Sequence, residues 1–214
     1  MNDINLIIDG TEVKSRAGMT ILQAAEQEGI KIPTLCHATD LKPTGVCRIC
    51  LVEVGGARTL MAACHTPIFE GMVVQTRSQK VLETRRAVVE LLLTAHTGAC
   101  VTDINAKECV LHKLASDLEV GPPRFQVREP RHFPSEDSNP YVQRDLSKCI
   151  LCRRCVGACN EVAKQHILSI GYRGFSSKVI TAFDGPLDKE VCKDCGICVD
   201  YCPTGALSKS AKIS

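Results

Sequence analysis

The 214-residue chain contains no tryptophan, three tyrosines and five phenylalanines, so aromatics make up only 4% of it. So few rings cannot fill large aromatic cores, and something besides apolar burial has to organise the fold. No apolar run approaches the ~20 residues of a membrane helix; the longest, Ala87 to Ala95, is interrupted by Glu90. The first residues, Met1-Asn2-Asp3-Ile4-Asn5, show no basic region followed by an apolar stretch, so no secretory leader is expected. A formal net charge of +2 argues neither for nucleic acid nor for a membrane surface. Neither G-x-G-x-x-G nor G-x-x-x-x-G-K-S/T occurs, and no Ser, His and Asp arrangement suggests hydrolysis. Together these absences lead to the expectation of a soluble, cytoplasmic chain in which hydride or substrate chemistry is left to another protein.

Cysteine, by contrast, is abundant, with fourteen in the chain. In a reducing compartment such cysteines serve as metal ligands in preference to disulfides. Eight fall in two runs of C-x2-C-x2-C-x3-C: Cys149, Cys152, Cys155 and Cys159, then Cys192, Cys195, Cys198 and Cys202. This internal repeat resembles the ligand set of a bacterial-type ferredoxin with two 4Fe-4S clusters, in which the fourth cysteine of each run serves the other cluster. The resemblance pairs Cys149, Cys152 and Cys155 with Cys202, and Cys192, Cys195 and Cys198 with Cys159. A structural zinc ribbon is the plainer alternative, and shorter C-x2-C pairs suit it better. Pro203 follows the second run, where the first has Asn160; that proline shapes a turn and is not a ligand. Lys148, Arg153, Arg154 and Lys193 lie within or beside the runs, either as cations that raise a cluster's potential or as an ordinary solvated face.

Upstream, Ile4 to Ile8 and Glu12 to Ser15 read as strands about the hairpin signal Asp9-Gly10, and a helix from about Thr20 to Gln27 stops at Gly29. Then come Cys36, Cys47, Cys50 and Cys64, spaced C-x10-C-x2-C-x13-C. Four thiolates suit a 2Fe-2S cluster, with structural zinc as the alternative, and Gly45, Gly55 and Gly56 would allow the backbone to curve its amides toward sulfur. His37 and His65 each follow a ligand, as tuning residues or as ordinary surface histidines.

Between these regions, Gln79 to Ala95 carries Val81, Leu82, Val88, Val89, Leu91, Leu92 and Leu93 at helical spacing, with Glu83, Arg85 and Arg86 interspersed. That helix delivers His96 to a segment containing Cys100, Asp103 and Cys109. A short helix is expected from Glu108 to Leu118, then a Pro-rich charged stretch from Gly121 to Pro140, serving as a wrap, a docking segment or a plain spacer. Asp184-Gly185 is expected to turn between the two halves of the last domain.

The order of these motifs resembles the amino-terminal part of the large iron-sulfur subunit of respiratory complex I. It is similar also to the small diaphorase subunit of NAD-reducing hydrogenases and to the front of iron-iron hydrogenases and NAD-linked formate dehydrogenases. The resemblance implies an α+β chain: a β-grasp 2Fe-2S domain over 1–78, a helical His/Cys cluster segment over 79–120, a linker over 121–140 and a two-4Fe-4S ferredoxin domain over 141–214. It also implies H-x3-C-x2-C-x5-C ligation of a further 4Fe-4S cluster, and here His96, Cys100 and Cys109 match while Asp103 stands where a cysteine is required. Three readings follow: Asp103 ligates the fourth iron, a 3Fe-4S or labile cluster forms, or zinc or nothing occupies the site. A histidine ligand in place of thiolate would raise the potential, as in Rieske centres.

The resemblance implies a flavin- and NAD(P)-binding partner and a further redox subunit, with ferredoxin as another exchange partner. The chain would then be a non-catalytic electron-relay subunit of a cytoplasmic oxidoreductase: a hydrogenase, a formate dehydrogenase or a ferredoxin-dependent transhydrogenase, with or without electron bifurcation. Only twelve residues follow Cys202, so no molybdopterin or hydrogen-activating domain is expected in this sequence. A free-standing multi-cluster ferredoxin-like carrier is the alternative; three or four sites in series and the long proline-rich stretch favour the subunit.

Overall fold

The computed structural model describes residues 3–96, 109–125 and 139–210. Contacts divide the chain into two compact units, Met1–His37 with Pro43–Val89, and Ala38–Lys42 with Glu90–Ser214.

The first unit opens with strands β1 (Asp3–Ile8) and β2 (Thr11–Arg16), paired antiparallel so that Ile8 faces Thr11. Asp9 and Gly10, both at positive φ (50° and 84°), make the turn; a hairpin this tight needs left-handed backbone at both positions, and Asp-Gly supplies it at little cost. Alternation along β1 and β2 sends Leu6, Ile8 and Val13 inward. Helix α1 (Ile21–Gln27) starts in a capping box, with the Thr20 hydroxyl accepting from the Gln23 N–H and the Gln23 side chain accepting from the Thr20 N–H. It buries Ile21, Leu22, Ala24 and Ala25.

Strands β3 (Leu51–Val54), β4 (Met61–Ala62) and β5 (Val73–Gln75) complete a five-stranded sheet in the order β2-β1-β5-β3-β4. Only the β1–β5 pairing is parallel. Val52, Met72 and Val74 meet the α1 face in one core, and Cys50 and Cys64 are part of it.

Helix α2 (Gln79–Thr94) ends two residues before His96, whose N–H donates to the Leu93 carbonyl. In the second unit, α3 (Val110–Asp117) begins directly after Cys109 and buries Leu111, Leu114 and Ala115. The helix expected from Glu108 therefore starts at Val110, while Glu108 itself lies outside the described residues.

Two small antiparallel pairs frame the last region: β6 (Val142–Arg144) with β9 (Leu207–Lys209), and β7 (Ser169–Gly171) with β8 (Lys178–Ile180). One-turn helices α4 (Arg154–Gly157), α5 (Lys189–Cys192) and α6 (Ile197–Asp200) carry cysteines between them. Val142, Leu168, Val179, Leu187, Val199 and Leu207 form the apolar part of this core, with Cys155 and Cys159 among them. Phe183 and Asp184 take left-handed φ at the expected Asp184-Gly185 turn. Residues 38–42 belong to this second unit: the Lys42 N–H donates to Glu161 (2.9 Å) and the Tyr201 hydroxyl bonds Asp40.

Of the Pro-rich stretch, residues 126–138 lie outside the described residues, and its start is held by Glu90. The Arg124 N–H and guanidinium donate to that carboxylate at 2.6 and 2.8 Å, and these bonds keep the Glu90 carboxyl below its usual range. A depressed carboxylate stabilises fully above its unfolded pKa, about 4.3, and loses that contribution only as pH falls through the lower folded value. Trypsin cleavage after Arg124, taken relative to that of an unstructured peptide at the same pH, is accordingly expected to stay constant from about pH 8 to about pH 5 and to rise several-fold in Glu90→Gln. Equal cleavage of the two proteins at neutral pH would show that the ion pair does not hold the segment.

Candidate metal centres

In the first unit Cys36, Cys47, Cys50 and Cys64 are all buried, at 1–7% relative exposure. Their thiols meet in two hydrogen-bonded pairs, Cys36 with Cys47 and Cys50 with Cys64. The bond from Cys47 is the chief cause that brings Cys36 down to about 5, and the bond from Cys64 brings Cys50 down to about 7. Cys47 and Cys64 are pushed up, each first by its bonded partner and then by burial. Four acidic groups so close and so dry cannot all ionise without a cation among them. Backbone amides of Val46 and Cys47 also bond the Cys36 sulfur. Arg48, between Cys47 and Cys50, sits at φ 56°, the left-handed turn that lets successive amides point into one concavity.

One sequence expectation needs correction here. Gly55 and Gly56 turn the chain out of β3 and toward β4, and among the three glycines only Gly45 (φ 63°) lies in the cysteine loop. Arg85, one of the charged residues interspersed among the apolar positions of α2, is 3% exposed. Its guanidinium donates to the Ile49 and Leu51 carbonyls at 2.9 and 3.0 Å, one on each side of Cys50. Burial lowers the Arg85 pKa while the Cys50 thiol opposes that shift.

The two cysteine runs come together crosswise. The thiols that act on Cys155 are chiefly Cys152, Cys149 and Cys202, and those that act on Cys198 are Cys192, Cys159 and Cys195. One cavity is lined by Cys159 of the first run together with Cys192, Cys195 and Cys198 of the second. A π-helical turn, Ala158–Val162, follows α4 and carries Cys159; such an inserted residue re-aims side chains and is frequent at functional sites. Arg153 and Gly196, each just after the second cysteine of its run, both adopt left-handed φ (65° and 60°). The Leu151 N–H donates to the Cys149 sulfur at 3.4 Å. Burial raises Cys152 and Cys198 to about 12 and Cys155 well above its ordinary value, the cost of dry thiolates that bound cations would offset. No described cysteine is in a disulfide.

Among the cations noted beside the runs, Arg153 and Lys193 are exposed and Lys148 pairs with Asp145 at 3.4 Å. Arg154 stacks over the Tyr201 ring at 5.9 Å. The buried cation near a ferredoxin-type thiol is Arg144, 4% exposed and electrostatically coupled to Cys192. His65 is exposed and His37 half-buried.

His96 is 7% exposed, and its Nδ1 lies 2.9 Å from the Lys148 carbonyl, so that nitrogen carries the proton and donates. Nε2 is left with its lone pair 3.7 Å from the Cys109 sulfur. Cys100 and Asp103 lie outside the described residues. A residue that sequence reasoning misses joins the pair: donor atoms of His96, Cys109 and His112 all lie within 4.8 Å of one another. The available signal is helical spacing, since His112 stands three residues after Cys109, one turn along α3.

Residues 1–79 match a domain described as a 2Fe-2S iron-sulfur cluster binding domain, and residues 139–208 match the ferredoxin-like domain of NADH-quinone oxidoreductase subunit 3. The chain resembles the iron-sulfur region of complex I and NAD(P)-linked hydrogenase subunits. It is 40% identical, over 97% of its length, to NADP-reducing hydrogenase subunit HndD of Solidesulfovibrio fructosivorans, of which it covers 36%. It is 38% identical, over 95%, to an NADH-quinone oxidoreductase subunit of Rhizobium meliloti, covering 24% of that protein. The solved NAD+-reducing NiFe hydrogenase superposes with a TM-score of 0.84 at 28% identity, over 97% of this chain and 88% of the matched one. The chain thus spans about a quarter to a third of the curated relatives named here. As expected, it is a mixed α+β chain with a 2Fe-2S domain followed by a ferredoxin-like 4Fe-4S domain. Among the described residues no helix is long and apolar enough to cross a membrane.

Proposed function

We propose that this chain is an electron-relay subunit of a cytoplasmic NAD(P)-linked oxidoreductase, placed between a flavin- and NAD(P)-binding partner and a further redox module. The observation that carries the reading is the crosswise meeting of the cysteine runs, with Cys159 sharing a cavity with Cys192, Cys195 and Cys198. A zinc ribbon has no use for such an exchange, whereas a two-cluster ferredoxin domain requires it. Cys149, Cys152, Cys155 and Cys202 would hold one 4Fe-4S cluster, and Cys192, Cys195, Cys198 and Cys159 the other. In a β-grasp 2Fe-2S domain, Cys36 and Cys47 would share one iron and Cys50 and Cys64 the second, because thiolates on one metal are nearest neighbours. The donor chemistry fits: sulfurs that are buried in the first unit and buried or half-buried in the second, amides aimed at Cys36 and Cys149, and neighbouring cations.

Bound there, the clusters supply one-electron transfer. The residues themselves hold the sulfurs in buried or half-buried positions and set the local charge. The named relatives, a hydrogenase subunit, an NADH-quinone oxidoreductase subunit and a hydrogenase structure, support assembly with redox partners. Within that class, a hydrogenase, a formate dehydrogenase and a ferredoxin-dependent transhydrogenase all use such a relay.

Anaerobic affinity purification of the tagged chain from its host tests the reading. A flavoprotein with NAD(P)-binding activity is expected to co-elute in near-equal amount. A lone species near 23.3 kDa that still carries electrons would instead make the chain a free-standing carrier.

A further inference from the structure

We propose that His96, Cys109 and His112 form a mononuclear site for a divalent, zinc-type ion, with His112 as a protein ligand. This goes beyond the relay reading and does not depend on it.

Distance is the first argument. Zn–N bonds of about 2.0 Å and a Zn–S bond of about 2.3 Å at tetrahedral angles put nitrogen and sulfur about 3.5 Å apart. His96 Nε2 and Cys109 Sγ are 3.7 Å apart, and the third donor falls within 4.8 Å of both. In a cubane each donor points outward from its own iron, so donors stand farther apart than the irons do. This pair is too close for two corners of a cluster and suited to one ion.

Tautomer and unmet bonding supply the second. Donation from His96 Nδ1 to the Lys148 carbonyl fixes the ring and leaves Nε2 as the lone-pair donor, the arrangement metal-bound histidines use. His112 Nδ1 is buried with no hydrogen-bond partner, and a buried polar atom in that state is costly unless a ligand meets it. The two rings are tilted at 59° with centroids 5.1 Å apart, so they are not stacked. Two imidazoles and one thiolate are a donor set that zinc accepts, with a water or another oxygen donor completing four.

The third argument is local construction. Cys109 is the residue preceding α3 and His112 is in its first turn, so the helix fixes their spacing. The Val110 N–H donates to the Pro203 carbonyl at 2.9 Å, tying the start of α3 to the turn after Cys202.

The test uses the full chain, purified anaerobically, with zinc and iron measured together and zinc-edge X-ray absorption recorded. Wild type is expected to hold close to one zinc per chain in a mixed nitrogen and sulfur shell. His112→Ala should weaken zinc retention against a chelator by at least about 10²-fold, the upper end of what losing a supporting partner costs. Iron content should not change, which also reports that the variant has folded. His112→Cys, which restores a ligand, should recover zinc. Wild type with about four irons beyond those of the other sites and no zinc would overturn the proposal, as would zinc that His112→Ala leaves in place. Failure of the relay reading would show separately, as loss of iron from the cysteine-only sites in wild type.

Discussion

Cys159→Ala is expected to abolish the cluster of the other cysteine run. Cys159 belongs by sequence to the run that begins at Cys149, yet its side chain shares a cavity with Cys192, Cys195 and Cys198. Removing it leaves three thiols around that cavity and leaves untouched Cys155 and the thiols that act on it most, Cys152, Cys149 and Cys202. Iron should fall by about four per chain, and one of two 4Fe-4S signals should vanish while the other keeps its potential. Cys202→Ala should do the reverse. An assignment by sequence blocks predicts the opposite pairing: if Cys159→Ala and Cys149→Ala erased the same signal while Cys192→Ala spared it, the crosswise account would fail. The variants should also be less stable, because the sulfurs are part of the core that Val142, Leu168 and Leu207 line.

Arg85→Leu is expected to damage the 2Fe-2S domain from beneath. The guanidinium spans the Ile49 and Leu51 carbonyls and is almost fully buried, so its removal strands acceptors in a dry interior. Each stranded group costs roughly 1–3 kcal/mol, so with two of them the domain should lose roughly 2–6 kcal/mol of stability. The same substitution takes a positive charge away from beside Cys50. A nearby cation favours the more negative, reduced state, so the potential should drop on the order of tens of millivolts. Arg85→Lys separates the effects: a lysine keeps the charge but cannot fork across two carbonyls, so it should retain the potential and lose stability. Denaturation monitored by loss of cluster absorbance, with a redox titration of each variant, checks both. An unchanged potential in Arg85→Leu would reduce Arg85 to a packing residue.

The features legible in the sequence are those written in local spacing. Asp9-Gly10, the helix from about Thr20 to Gln27 and the two cysteine runs each lie within about a dozen residues, and local geometry largely fixes their form. The β1–β5 pairing, by contrast, joins residues more than sixty positions apart and has no local signature. Nothing in the local spacing marks Arg85 as buried, since charged residues usually face solvent, and only its bonds to the carbonyls beside Cys50 show why it lies inside. His112 stands within one turn of Cys109, but its relevance depends on His96 being brought alongside, a tertiary fact. Gly55 and Gly56 look from the sequence like parts of the cysteine loop and in fact serve a sheet turn; glycine marks where the backbone bends and not what it bends toward. The departure at Asp103 is visible from sequence, although Asp103 itself lies outside the described residues.

The most direct test of the central claim is anaerobic reconstitution of the full chain with iron and sulfide, followed by stepwise reduction under electron paramagnetic resonance. The account predicts about ten irons per chain, two from the 2Fe-2S site and four from each ferredoxin-type site, with three reducible centres. A preparation that stays colourless, or that takes up zinc at the cysteine-only sites and shows no reducible centre, would contradict it.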